Sequence, residues 1–105
     1  MAEPPKLTDE QRQAALEKAA AARRVRAEVK EQLKTGSLSL PGLFARAERD
    51  EMVGKLKVLA LLEAMPGVGK VKARRTMEEI GISETRRVRG LGAQQREALL
   101  RAFPS

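Results

Sequence analysis

AMPGVGKVKA, residues 64–73, decides how this chain is read. Upstream of it, KVLALLEAM at 57–65 sets Val58, Leu61, Leu62 and Met65 on one helical face, and Pro66 ends that helix. Downstream, Lys70 to Ile80 repeats the pattern with Ala73, Met77 and Ile80, and Gly81 closes it. The quoted stretch is therefore a turn between two helices. Its glycines, Gly67 and Gly69, allow positive φ around Val68, so the N–H groups of the turn and of the next helix can converge outward. Such a cluster at a helix N-terminus suits an anion, a backbone phosphate included. Glycine is also common in plain helix–helix turns, and GVG alone leaves both readings open. Lys70 and Lys72 shift the balance: lysine opposes the dipole at a helix N-terminus, which points to a compensating external anion. Arg74 and Arg75 are weaker candidates, because Glu78 and Glu79 stand four residues on and can pair with them.

The totals bound what surrounds this turn. A chain of 105 residues supports one small core, and with Phe44 and Phe103 as its sole aromatics that core is aliphatic and favours helices. The absence of cysteine and histidine removes disulfides, zinc fingers, thiol chemistry and imidazole acid–base chemistry. No apolar run approaches the roughly 20 residues of a membrane span. The opening MAEPPKLTDEQ lacks the basic-then-apolar order of a signal peptide, so a cytoplasmic protein is expected. The net charge is +7. It is unevenly spread: +2 over residues 1–35, zero over 36–64 and +5 over 65–105, so most of the positive field begins at the quoted turn. A basic balance fits either a solubilising surface or a nucleic-acid partner.

Elsewhere the pattern is helical throughout. Thr8 and Gln11 form a capping-box pair, and no Gly or Pro intervenes before Gly36, which predicts one helix from Asp9 to Thr35. Ala22, Val25, Val29 and Leu33 recur at helical spacing, whereas the first half offers only Leu16 as a large apolar residue. The second half is expected to pack and the first to project. Arg23, Arg26, Lys30 and Lys34 form a second stripe, read either as a mildly strained solvated face or as a helix lying beside a phosphate backbone. Arg24, Glu28 and Glu31 can pair among themselves. Ser39 starts a second helix with Pro41 in its first turn and Leu43, Phe44 and Ala47 inward, followed by a turn around Gly54. Ser83 to Gly92 is a polar connector holding Val88 and Leu91, and a last helix, Ala93 to Ala102, turns Leu99, Leu100 and Phe103 inward.

That connector, with TRRVRGLG at 85–92, carries the second candidate site. Arg86, Arg87 and Arg89 fall in a segment with no acidic residue between Glu84 and Glu97. Loop arginines reach phosphates bidentately or enter a narrow minor groove, although they also occur on ordinary solvated surfaces. Two basic segments flanking one short helix would clamp a duplex better than either alone. The carboxylates are scattered among basic neighbours without a metal-binding cluster, so neither catalytic residues nor a metal or cofactor is expected.

Together, AMPGVGKVKA, EEIGI and TRRVRGLG resemble the helix-two-turns-helix element of nucleic-acid-binding proteins. The chain from Leu7 to Phe103 resembles the actinobacterial integration host factor family. The resemblance implies an all-α protein, with a long N-terminal helical arm at 1–36 and a compact helix-two-turns-helix domain at 37–105. It further implies a monomeric, nucleoid-associated protein that binds double-stranded DNA with little sequence preference. Bending or constraining DNA, an influence on supercoiling, and assistance to phage integrase in site-specific recombination come with it. It assigns backbone contacts to the hairpin, Ala64 to Val71, and to a lid, about Ile82 to Gln94. By position these are Gly67, Val68, Gly69, Lys70 and Lys72, and Arg86, Arg87 and Arg89; the basic stripe of the first helix, Arg23, Arg26, Lys30 and Lys34, adds candidate auxiliary contacts on the strength of its charge pattern alone. The chain does not resemble the two-subunit host factor of enteric bacteria, which is built on β-arms. The stretch SLSLPGLFARAERD departs most from the family, and its Pro41-Gly42 bears on how the second helix begins.

Two rivals share parts of this pattern. A small-subunit ribosomal protein resembles the chain in the glycine hairpin and the RVR connector but binds ribosomal RNA; the expected long basic tail is replaced by LLRAFPS. A DNA glycosylase of the helix-two-turns-helix type would need an N-terminal proline nucleophile, where this chain has Met-Ala-Glu.

Overall fold

The computed structural model describes residues 8–104. The segment MAEPPKL, including the Leu7 at which the family resemblance begins, and Ser105 lie outside the described residues. Helix α1 runs Asp9–Thr35. Its start is fixed by the capping box: the Gln11 N–H donates to Thr8 Oγ1 at 3.1 Å, and the Thr8 N–H donates to Gln11 Oε1 at 2.9 Å. Gly36, at φ 81°, ends it with its N–H on the Leu33 carbonyl. Val29 and Leu33 are buried, Val25 is half-buried, and Ala22 is exposed. The packed face thus begins at Val25, one turn later than the apolar spacing suggests, because α1 outruns the helices beneath it. The first half projects, as expected.

Helix α2, Leu40–Arg49, is capped by Ser39, whose side chain accepts from the Gly42 N–H at 3.2 Å. Pro41 sits in the first turn, where its missing N–H costs nothing. Where a turn around Gly54 is expected, there is a four-residue helix, α3, Glu51–Gly54. Asp50 nucleates it by accepting from the Met52 N–H at 3.0 Å. Gly54 is buried, and a Cβ there would stand 3.3 Å from both the Ala47 carbonyl oxygen and the Arg89 Cβ. The glycine is thus a close-approach position for the connector rather than a bend.

Helices α4, Val58–Ala64, and α5, Gly69–Ile80, flank the hairpin, and α6, Ala93–Ala102, closes the chain. The fold is all-α. α4 packs against α1 and α5, α5 against α6, and α2 and α3 against the connector, whose Val88–Gly90 forms a 3₁₀ turn. Val29, Leu33, Leu61, Leu62, Met77, Val88 and Leu99 lie in one apolar cluster with almost no solvent exposure. Each side chain of that size contributes about 1.5–3 kcal/mol on burial. Leu40, Val53, Leu56 and Ile82 also belong to the core. They stand at element ends and in connections, outside the helical stripes by which a core is read from sequence.

Candidate nucleic-acid interface

Between α4 and α5 the backbone alternates in handedness. Gly67 has φ 75°, Val68 is right-handed at φ −85°, ψ −62°, and Gly69 returns to φ 70°. Neighbouring residues of opposite φ make successive N–H groups converge on one point, a concavity that holds anions. A Cβ at either glycine would meet nothing within 4 Å, so the glycines serve the backbone conformation and leave the outer face open. No side chain caps α5, and its first turn carries no acidic residue. The N-terminal N–H groups of a 12-residue helix thus lack a side-chain partner while Lys70 and Lys72 flank them. Val71, between the lysines, is 72% exposed. Lys70 makes no ion pair within 4 Å among the described residues, and Lys72 Nζ lies 5.9 Å from the centroid of the Phe103 ring. At that distance the ring face attracts the Lys72 ammonium, while the residue stays exposed.

The basic stripe of α1 reaches this cleft. Lys34 lines it together with Glu63 and residues 64–69. Arg23, Arg26, Lys30 and Lys34 are all exposed, and none forms an ion pair among the described residues. Arg24, Glu28 and Glu31 likewise form none; solvated partners on an exposed face gain too little from pairing to hold one geometry.

The acidic partners expected for Arg74 and Arg75 are corrected by the structure. Arg74 Nε lies 3.3 Å from Glu84 Oε1, across the gap from α5 to the connector, and Arg75 has no ion pair within 4 Å among the described residues. Two causes combine. An Arg-to-Glu order at four residues is the less favourable direction along a helix, and the connector folds back to bring Glu84 near.

The three connector arginines have different tasks. Arg86 is half-buried, and its Nη1 donates to the Gly90 carbonyl at 2.8 Å, which holds the 3₁₀ turn in shape. Arg89 packs its Cβ against Gly54, and its Nη1 stands 3.9 Å from Glu51 Oε1. Arg87 is exposed without an acidic partner and faces α1 across a groove that Arg26 also lines. The connector is anchored by long-range backbone pairing: the Val58 N–H donates to the Arg86 carbonyl at 3.0 Å, and the Val88 N–H to the Leu56 carbonyl at 2.9 Å. This isolated antiparallel bridge sets Lys57 opposite Arg87 and brings Lys55 and Lys57 beside the connector. Sequence reasoning passes over both lysines. The available signal is the period-two alternation of charged and apolar residues in KLKV and RVR, too short to claim a strand.

Among the described residues no group of His, Cys, Asp or Glu could hold a metal ion, and no helix is long and apolar enough to cross a membrane.

Two adjoining helices joined by a glycine hairpin of alternating handedness, backed by a long helix and a returning connector, define a helix-two-turns-helix protein. Residues 33–103 match the model of the S13-like H2TH domain. The chain is 62% identical to the integration host factor of Mycobacterium tuberculosis over 96% of each chain. It is 63% identical to that of Mycolicibacterium smegmatis over 94% of each chain, and 59% identical to that of Streptomyces coelicolor over 100% of this chain and 97% of the relative. It therefore belongs to the integration host factor family of these bacteria. Among solved structures, sIHF bound to an 8-bp palindromic DNA superimposes with a TM-score of 0.79 at 56% identity, over 83% of this chain and 98% of that one.

Proposed function

We propose that this chain is an architectural, nucleoid-associated protein that grips double-stranded DNA through its backbone, with low sequence specificity, and bends or constrains it. The observation that carries the reading is an uncapped helix N-terminus behind an alternating glycine turn, on a fold whose close structural relative was solved on DNA. Gly67 and Gly69 present N–H groups to one phosphate, Val68 holds the turn between them through its N–H on the Met65 carbonyl at 3.3 Å, and Lys70 and Lys72 supply charge. Arg87 takes a neighbouring phosphate or the minor groove, with Arg86 and Arg89 holding the connector that carries it. Arg23, Arg26, Lys30 and Lys34 extend the positive edge. Helix α1, Asp9–Thr35, acts as a helical arm whose second half belongs to the core of the DNA-binding unit that follows it.

Backbone N–H groups and lysine charge address phosphates, which are the same in every sequence, and this supports the low sequence specificity of the proposal. If both jaws are satisfied only on a curved duplex, bending costs about 1–6 kcal/mol, which the added phosphate contacts offset. The protein works as a monomer in the cytoplasm on nucleoid DNA, without cofactor or catalytic step, and supports supercoiling control and phage integrase on attachment-site DNA by shaping that DNA. The test is fluorescence anisotropy with a 20-bp duplex and a structured RNA of equal charge at matched salt. Tighter binding to the duplex, indifferent to its sequence, is expected; tighter binding to the RNA overturns the proposal.

A further inference from the structure

Two apolar features of the fold are left uncovered, and one helix holds them apart. Leu16, on the projecting half of α1, is 58% exposed. The residues one turn away on its face are Arg12, Gln13, Ala19 and Ala20, and the two alanines leave the leucine standing clear of the helix. At the other end of α1 lies a groove of about 350 Å³, lined by Leu33, Leu38, Leu40, Met65, Phe103 and Pro104 and by no charged side chain. Leu38 and Met65 are only half-buried there, and Pro104 is exposed. Leu16 and Leu33 are 17 positions apart on one uninterrupted helix, roughly 26 Å at 1.5 Å per residue, so a chain cannot seat Leu16 in its own groove. Charge favours a seat in another copy. In a chain of net charge +7, Asp9 to Glu17 holds three carboxylates against Arg12 alone. The groove is edged by cations: Lys72 Nζ lies 5.9 Å from the centroid of the Phe103 ring, and Lys34 lines the hairpin cleft, which shares Met65 and Pro66 with the groove and also holds Glu63. Neither lysine has an acidic partner within 4 Å among the described residues.

We propose that the first half of α1 docks, through Leu16, in the Leu38–Phe103 groove of a second copy, so that neighbouring copies on one duplex join head to tail. The proposal rests on the DNA-binding reading above, because the duplex is what brings the copies together. One leucine and the small residues around it cover far less than the roughly 1,200–2,000 Å² of a stable interface, so the free chain stays a monomer. Copies held side by side on one duplex meet at an effective concentration on the order of millimolar, where so small a contact is populated. A contact between two different surfaces does not close on itself, so it extends into a row. The carboxylates of the arriving arm face Lys34 and Lys72 at the edges of the groove and set its direction. Since Met65 and Pro66 belong to both the groove and the hairpin cleft, each docked arm lies beside a DNA-binding turn.

The absence of native cysteine permits a directed test in the full chain. Leu16→Cys and Pro104→Cys proteins, each altered at an exposed position, are mixed in equal amounts on an 80-bp duplex, oxidised with copper phenanthroline and resolved on a non-reducing gel. The expected product is the Leu16→Cys/Pro104→Cys heterodimer, at least fivefold over either homodimer and lost when the duplex is omitted. In parallel, Leu16→Gln should bind a 12-bp duplex, too short for a row, within about twofold of the parent. On the 80-bp duplex it should lose the parent's Hill coefficient above 1. An excess of Leu16→Cys homodimer means that two arms pair with each other and overturns the groove as the seat. A statistical mixture of the three dimers, or a parent Hill coefficient of 1 with 12-bp binding intact, overturns the row and leaves the DNA reading standing. Amide NMR shifts at Leu38, Leu40 and Phe103 that exceed those at Gly67 to Gly69 when Leu16→Gln meets the 12-bp duplex also overturn it, since DNA itself would then cover the groove. A parent that binds neither duplex overturns both readings together.

Discussion

Substituting alanine at the positive-φ glycines separates what the hairpin does for the fold from what it does for DNA. Gly36, Gly67, Gly69 and Gly81 have φ of 81°, 75°, 70° and 88°, and a Cβ at any of them would meet nothing within 4 Å. Steric clash is therefore removed from the comparison, and what remains is the cost of an L-residue in left-handed backbone, about 1–2 kcal/mol. All four alanine variants should lose that much stability. In urea the midpoint should fall without a change in the slope m, and each kcal/mol should lower Tm by about 4–8 °C in a domain near this size. Binding should divide them. Gly36 and Gly81 end α1 and α5, so well below the melting range Gly36→Ala and Gly81→Ala should keep duplex Kd within about threefold. Gly67 and Gly69 aim the hairpin N–H groups, and a hydrogen bond to a charged partner contributes about 1.5–3 kcal/mol. Gly67→Ala and Gly69→Ala should therefore weaken Kd about tenfold or more, since 1.4 kcal/mol is one decade. Anisotropy at 15 °C in moderate salt, beside urea melts of the same samples, measures both quantities. Equal Kd across the four variants would refute the hairpin as a phosphate site, and a Gly69→Ala protein that melts like the parent would refute the backbone argument.

The connector and the core give two shorter predictions. Arg87→Gln should lower the salt slope of duplex binding by about 1 with Tm unchanged, whereas Arg86→Gln, which loses the bond to the Gly90 carbonyl, should cost about 1 kcal/mol in a urea melt; the reverse pattern would exchange their roles. Met77 is fully buried, and Met77→Ala should cost about 2–5 kcal/mol by calorimetry, with a loss of less than about 1 kcal/mol contradicting its place in the core.

Much of this protein is local and therefore legible in its sequence. Thr8 with Gln11, Ser39, Pro66, Gly36 and Gly81 act on backbone groups within a turn of themselves, and helix ends read from them agree with the structure to within a residue. The glycine hairpin and its lysines are legible for the same reason, since φ preference and dipole sign need no distant partner. Ion pairs are less so: Arg74 passes over Glu78, a neighbour in sequence, for Glu84, which only the fold brings near. What tertiary structure alone decided is the second basic groove. Lys57 and Arg87 are 30 positions apart, and Arg26 lies a further 31 before Lys57. Their meeting depends on two backbone hydrogen bonds between loops and on α1 crossing above them. Periodicity finds faces of single elements, whereas a site assembled from three segments exists only once packing has chosen which faces meet.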